Sequence, residues 1–576
     1  MVSCLSGKCS LSERTIMRDF TVIALLSVLA GSSQFSVAED GTYDVLIRGG
    51  RIVDGTGNPW FLGNVGIKGE RIVAIGAFSD AKATHTIDAA GLVVAPGFID
   101  IHSHSDFLLL EDGNAQSKIR QGVTTEVLGE GRSAGPFLDR LPPRKVTVKG
   151  DKVELRRLSD YFDAIERAEV STNIASYVGI GNVWESVMGK SFDRPAESQL
   201  EQMCQLVDQA MTDGALGLSS QLMMPPGSLA TTDEVVRLCK VVASHHGIYS
   251  THIRNEGTEV FKSVSEAIEI GRRAGLPVDI IHLKIADEQY WGRMNEVVKL
   301  IQDARDDGIN VQANVYPYTR GNNNLVSIIP PWAHEGGTTE LLRRLKSPEE
   351  RKRIKQDIIN GVPDWYNHYT AVGSDWSRML VSANNSFKGL TMDRVMAMRT
   401  NDNSKADRID ELMDFLIEQN GSVSTVFAHH TEKDMNLALS QPWCSVGSDG
   451  SAYATTGILR RGNPHPRNFG TFPRVLGVYV RESGLLTLED AVRKITSLNA
   501  AKVGLRKRGL LKAGCFADVT VFDPATVKDR SLYTDPFQYP IGIEYVIVNG
   551  KVVLADGEHT NARPGHVLTG PAVSAR

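Results

Sequence analysis

Cysteine is scarce in this chain, six in 576 residues. No two of them form a Cys-x-x-Cys pair, so neither a disulfide scaffold nor a cysteine-ligated zinc knuckle is indicated. Cys204, Cys239, Cys444 and Cys515 are scattered singly, as small buried apolar residues usually are. An excess of one charge is missing too: 63 Lys and Arg against 68 Asp and Glu leave a net of -5. That balance gives no electrostatic reason to expect nucleic acid as partner. An apolar run long enough to cross a membrane is also lacking. The stretch from Phe20 to Ala30 falls short of the ~20 residues a span requires. It follows Arg14 and Arg18 and precedes Ser36-Val37-Ala38, so residues 1–38 read as a signal peptide and the mature chain as periplasmic or secreted. No Cys stands directly after the run, so a lipid anchor is not indicated. With 41% hydrophobic and 23% charged residues, the remainder reads as globular, neither disordered nor fibrous.

What is present sorts into two textures. From Tyr43 the segments YDVLIRGGRIVDGTG, VGIKGERIVAIG and ATHTIDAAGLVVAPG alternate apolar and polar residues between Gly-rich turns, the mark of antiparallel strands. FADVTVFDPATV and GIEYVIVNGKVVLADG repeat this near the C-terminus. A small β-sandwich domain built from residues 39–95 and 506–576 is therefore expected around a central domain, 96–505. Eight apolar strands recur in that central part: GFIDIH, GVTTEVLG, NIASYVGIG, ALGLSS, GIYSTHI, PVDIIHL, INVQANVYPY and CSVGSDG. Amphipathic helical segments such as TDEVVRLCKVVASHH separate them. Eight such alternations predict an α/β fold, a (β/α)8 TIM barrel. A charged stretch of helical periodicity, about residues 330–419, predicts a helical insertion near the barrel mouth.

In such a barrel, polar residues at the C-terminal ends of strands are the candidates for chemistry. His102 and His104 end the first strand as His-x-His, and period-two alternation puts both imidazoles on one face. His252 closes the fifth strand, His282 the sixth and Asp449 the eighth. Four imidazoles and a carboxylate converging at one rim suit zinc. Gly179-Ile180-Gly181 lacks the third glycine of a dinucleotide site. His334-Glu335 has no second histidine at helical spacing. His429-His430 reads as a packing or supporting pair, and Asp375, in a Gly-Ser-Asp context like that of Asp449, falls within the insertion.

The segments GFIDIHSHSD, STHIRNEG, IIHLK, NVYPY, VGSDG and HPRNFGTFPRVLG together resemble the amidohydrolase superfamily. Within it they are most similar to the D-aminoacylases, or N-acyl-D-amino-acid deacylases, over nearly the whole mature chain. The resemblance implies zinc, one or two ions. His102, His104 and Asp449 match the more exposed metal position, and His252 and His282 the more buried one. It implies hydrolysis of the amide bond of N-acyl-D-amino acids, with Asp449 as general base and acid. Lys284, Tyr316 and Arg467 match positions that hold the substrate carboxylate, and Asn322 stands where the family has a Ser. The resemblance implies a ligand bridging the two ions from the end of the second strand, but the chain departs from the family's Gly-Asn-Cys-Gly segment, reading Leu128-Gly129-Glu130-Gly131-Arg132, which leaves Glu130 as the first candidate to bridge, Glu126 as the second, and nuclearity open. A related amidohydrolase acting on a cyclic amide, dipeptide or carbamoyl substrate is the alternative within hydrolases. A non-catalytic barrel binding small molecules is the alternative from another class.

Overall fold

The computed structural model describes residues 42–78, 82–400 and 408–574, all within one compact unit. The expected signal peptide, 1–38, lies outside these residues. The fold is α/β. Its central part is built on strands Phe98–Asp100 (β1), Val123–Leu128 (β2), Asn173–Ser176 (β3), Gly217–Gln221 (β4), Ile248–His252 (β5), Val278–Ile280 (β6), Val311–Val315 (β7) and Cys444–Val446 (β8). All run parallel, in the hydrogen-bonded orders β3-β2-β1 and Val178–Gly179-β4-β5-β6-β7-β8. Val178–Gly179 continues β3 past Tyr177, and a parallel bridge between Ser103 and Gly450 joins the segments just beyond β1 and β8. Helices cover these strands, so both of their faces are buried: all six residues of β2 are buried, the polar Thr124, Thr125 and Glu126 among them.

The helix Thr232–Ser244 shows how the sequence builds each cover. Thr231 and Glu234 form a reciprocal capping box, and Val235, Val236, Leu238, Cys239 and Val242 make one buried face. The next helix, Val260–Ala274, stops at Gly275 in the left-handed conformation.

Strands from both chain ends share one nine-stranded sheet. Val519–Phe522 pairs antiparallel with Val93–Pro96, and Thr42–Ile52 lies at the sheet's middle. Val45, Ile67, Val94, Val519 and Ile547 meet in a common apolar cluster. The last residues depart from the expected C-terminal boundary. After Glu558–His559 the chain leaves this sheet and runs along β3, with Leu568 N–H donating to Ile174 O at 2.7 Å. Gly565 makes that approach possible, since a Cβ there would lie 2.1 Å from the Thr172 carbonyl oxygen.

The insertion is also wider and less helical than its periodicity suggested. Helices Thr338–Lys346, Pro348–Asn360 and Arg408–Glu418 pack on a three-stranded antiparallel sheet of Gly321–Asn324, Ser424–Phe427 and Met379–Val381. Together they enclose a core of their own, including Leu345, Ile354, Trp376, Leu412 and Phe427. Three- and four-residue strands such as Gly-Asn-Asn-Asn carry no alternation, so pattern reading passes over them.

Candidate active site

Glu130 is the hub. It sits two residues beyond β2, between Gly129 and Gly131, which both adopt positive φ, and Ser219 Oγ pins the turn by accepting from Gly131 N–H at 3.0 Å. Glu130 Oε2 lies 3.0 Å from His102 Nε2 and 3.0 Å from His104 Nε2. Glu130 Oε1 lies 3.2 Å from His252 Nδ1 and 3.7 Å from His282 Nε2. Asp449 Oδ1 completes the first group, 3.0 Å from His104 Nε2. Two sets result, His102–His104–Glu130–Asp449 and Glu130–His252–His282, each with its donor atoms within 4.8 Å of one another.

These donors fit zinc. They are imidazole nitrogens and carboxylate oxygens, and the shared carboxylate offers one oxygen to each set. His252 Nδ1 and His282 Nε2 face each other at 3.0 Å while both approach Glu130 Oε1, a convergence of lone pairs that a cation satisfies. His102 Nδ1 and His252 Nε2 have no hydrogen-bond partner among the described residues. The backbone is bent to make this meeting. His282 and Asp449 take φ of +39° and +51°, a region costing a residue with a Cβ about 1–3 kcal/mol. His282 N–H donates to Asn314 Oδ1 and Asp449 N–H to the His102 carbonyl, holding both there.

Burial would raise the Asp449 carboxyl, but the Arg467 and His102 charges and a hydrogen bond from His104 hold it well below the carboxylate range. Burial likewise opposes ionisation of Glu130, and His102, His104 and His252 overcome it. His104 shows the reverse: burial disfavours its charge, yet hydrogen bonds to Asp449 and Glu130 push it up to about 10.

Three buried acids that the sequence reading left without this role support the site. Asp100 accepts from Lys118 Nζ at 2.7 Å and from the Ser448 backbone N–H at 2.8 Å, tying the end of β1 to the end of β8. Glu126, the second candidate bridge, instead accepts from Ser103, Ser105 and Thr172 hydroxyls and stands in neither donor set. Glu256, four residues after His252, lies 3.0 Å from His282 Nδ1 and also takes Lys284 Nζ. An acid inside an apolar strand, as in GFIDIH, was the legible signal for Asp100. His-x-x-x-Glu spacing was the signal for Glu256.

The site opens into a cavity of about 510 Å³ between the strand ends and the inserted lobe. Lys284, Tyr316, Asn322 and Arg467 all line it. Arg467 Nη1 lies 2.8 Å from Asp449 Oδ2, and its Cζ sits 4.9 Å from the Tyr316 ring centre. Tyr316 Oη is buried and unpartnered among the described residues. Asn322 Oδ1 accepts from Ser382 Oγ at 2.8 Å, on the lobe side of the cavity. Asp375 only caps the turn Trp376–Arg378 and does not line the cavity. His429 does line it.

The Amidohydrolase family matches residues 85–323 and 435–554, passing over most of the inserted lobe. D-aminoacylase of Alcaligenes xylosoxydans xylosoxydans is 34% identical over 542 residues, 92% of this chain and 99% of that protein. N-acyl-D-glutamate deacylase of the same organism is 34% identical over 91% of this chain and 96% of its own length. The crystal structure of Bordetella bronchiseptica N-acyl-D-glutamate deacylase, complexed with zinc and a phosphonate mimic of the tetrahedral intermediate, superposes with a TM-score of 0.76. That match covers 92% of this chain and 100% of the other at 30% identity. With its strand-end histidines and acids gathered at the mouth of one cavity, this chain belongs to the amidohydrolase family.

Proposed function

We propose that this protein is a zinc-dependent hydrolase of N-acyl-D-amino acids, releasing a carboxylate and the free D-amino acid. The observation that carries the reading is the shared Glu130 carboxylate joining two histidine sets beside the Asp449–Arg467 pair. His102, His104 and Asp449 would hold one ion, His252 and His282 the other, with Glu130 between them. Zinc supplies Lewis acidity there, polarising the scissile carbonyl and making water a better acid.

The residues do the rest. Asp449 takes a proton from the attacking water at Oδ and returns it to the departing amine, which must be protonated to leave. The Arg467 guanidinium, in the cavity wall beside Asp449, offers its planar fork of N–H donors to the α-carboxylate. A bound carboxylate competes with Asp449 for that guanidinium, so substrate binding frees Asp449 to act as base. Lys284 adds positive charge and Tyr316 Oη a hydrogen-bond donor. Asn322 and the lobe close the far side of the cavity.

Two coarser features belong to the same reading. The β3-β2-β1 and Val178-to-β8 sheets are taken to close into an eight-stranded barrel, supported by the Ser103–Gly450 bridge and by the continuity through Tyr177. The nine-stranded sheet is taken to fold over its apolar cluster as a sandwich. The leader motif supports export, with a mature N-terminus at Glu39 that mass spectrometry of the purified protein reads directly.

The test is hydrolysis of paired N-acetyl-D- and N-acetyl-L-amino acids by zinc-loaded protein. Turnover of D substrates is expected. Absence of turnover with every D substrate, in folded and zinc-loaded protein, refutes the proposal.

A further inference from the structure

Four buried histidines remain outside the two donor sets: His368, His429, His430 and His465. Hydrogen-bond partners fix the proton positions on three of them. His430 Nε2 lies 2.7 Å from the Tyr318 carbonyl oxygen, which can only accept, so His430 carries its proton on Nε2. Its Nδ1 is then an acceptor, and it lies 3.0 Å from His429 Nδ1, which must donate. His429 is therefore protonated on Nδ1, and its Nε2 is a bare acceptor. His368 is set the other way round. Asn323 Oδ1 accepts from Asn324 N–H at 2.7 Å, so Asn323 Nδ2 is the group that donates to His368 Nε2 at 3.2 Å. His368 then carries its proton on Nδ1, a buried atom with no partner among the described residues. Burial keeps these rings uncharged: His368 and His430 are pulled down to about 3, and His429 is lowered by burial and by the neighbouring His430.

His368 and His429 both line the cavity, with ring centres 6.4 Å apart. His429 Nε2 and Tyr316 Oη flank the same spot, 2.7 and 3.2 Å from where a Cβ on Gly321 would lie, so only glycine leaves this edge open. Tyr316 and Lys284 belong to the carboxylate end of the site, so the group reaching the two histidines is the side chain on the same α-carbon. The lobe side adds Asn322, Ser382, Asn384 and Ser424 and no charged side chain among the described residues. Arg461 is already held by both Glu111 oxygens at 2.9 Å. Lys284, whose charge reaches both histidines, is already held by Glu256 at 2.5 Å, so an acidic side chain would find no unpaired cation here among the described residues.

Building on the hydrolase reading above, we propose that His429 Nε2 and His368 Nδ1–H form an acceptor–donor pair that recognises an uncharged carboxamide. The preferred substrates are N-acyl-D-glutamine and N-acyl-D-asparagine. The carboxamide N–H donates to His429 and its oxygen accepts from His368, each at the usual ~2.9 Å. A carboxylate isostere can still accept from His368 but sets its second oxygen against the bare His429 Nε2, and an apolar isostere leaves both imidazoles unpaired.

The test compares kcat/KM for N-acetyl-D-glutamine, N-acetyl-D-glutamate and N-acetyl-D-norleucine. A preference of at least ~10-fold for the glutamine derivative over each is expected, the scale of one buried hydrogen bond lost. In His429→Leu that ratio falls toward one, and His429→Gln, which keeps an acceptor oxygen, recovers part of it. Nitrogen-15 NMR of histidine-labelled wild-type protein should show His429 with an unprotonated Nε2, a readout that needs no variant to fold. Equal or better turnover of the glutamate or norleucine derivative overturns the proposal, as does a protonated His429 Nε2. If none of the three is hydrolysed, the hydrolase reading fails separately. Calorimetry on zinc-loaded protein then decides recognition, with binding of the glutamine derivative no tighter than that of the glutamate derivative overturning it.

Discussion

Replacing Glu130 by Ala removes the one side chain that both histidine sets share. Its two oxygens stand 3.0 to 3.7 Å from four imidazole nitrogens, so the change deprives each set of its common anionic donor at once. What stays is uneven: His102, His104 and Asp449 on one side, only His252 and His282 on the other. Loss of a partner that merely orients a ligand typically costs 10–100-fold in metal affinity. Loss of a charged ligand should exceed that, so at least ~100-fold is expected, or about 2.7 kcal/mol. The two-histidine position should empty first. The assay is zinc content after dialysis against a competing chelator, with Kd from competition titration. Glu126→Ala is the matched control. It leaves the hydroxyls of Ser103, Ser105 and Thr172 without their acceptor and should cost about 2–4 kcal/mol of stability while zinc is retained. If Glu130→Ala holds zinc as tightly as wild type, or if Glu126→Ala is the variant that loses it, the shared-carboxylate argument is wrong.

Asp449→Asn should keep the fold and lower kcat by roughly 10²–10⁴, the usual contribution of a proton-transferring side chain; unchanged kcat would remove Asp449 from that role. Arg467→Lys should reduce kcat/KM about 10-fold or more on an N-acyl-D-amino acid, yet far less on the corresponding α-amide, which carries no carboxylate. Zinc affinity should climb with pH. Metal-free His104 holds a proton up to about 10, and a ligating imidazole must be neutral, so each ion bound there near pH 8 should release about one proton, with affinity levelling off only above pH 10. Calorimetry in two buffers of different ionisation enthalpy measures that release. Lys118→Met should destabilise the protein by about 3–5 kcal/mol, because it strands the fully buried Asp100 carboxylate; thermal unfolding checks this.

Residues whose role is local were legible in the chain. His-x-His on a strand end and the apolar run before each candidate ligand depend on neighbours a few positions away, where periodicity operates. All eight segments read as strands contain strands. The insertion was only half legible, because its short strands pair across about a hundred residues, as Asn322 does with Val426. Glu256, close to His252 in sequence, was passed over because its meaning comes from Lys284 and His282, which arrive from the next strand.

The sequence by itself determined the α/β alternation, the candidate metal-binding residues and the family, since these rest on spacing and residue type. Only the tertiary structure decided that Glu130 and not Glu126 stands between the histidine sets, and that Arg467 pairs with Asp449. It alone decided which nitrogen of His429 is bare. Such choices turn on ångström-scale distances between groups far apart along the chain, and in a buried site those distances determine which proton, charge or cation each atom can hold.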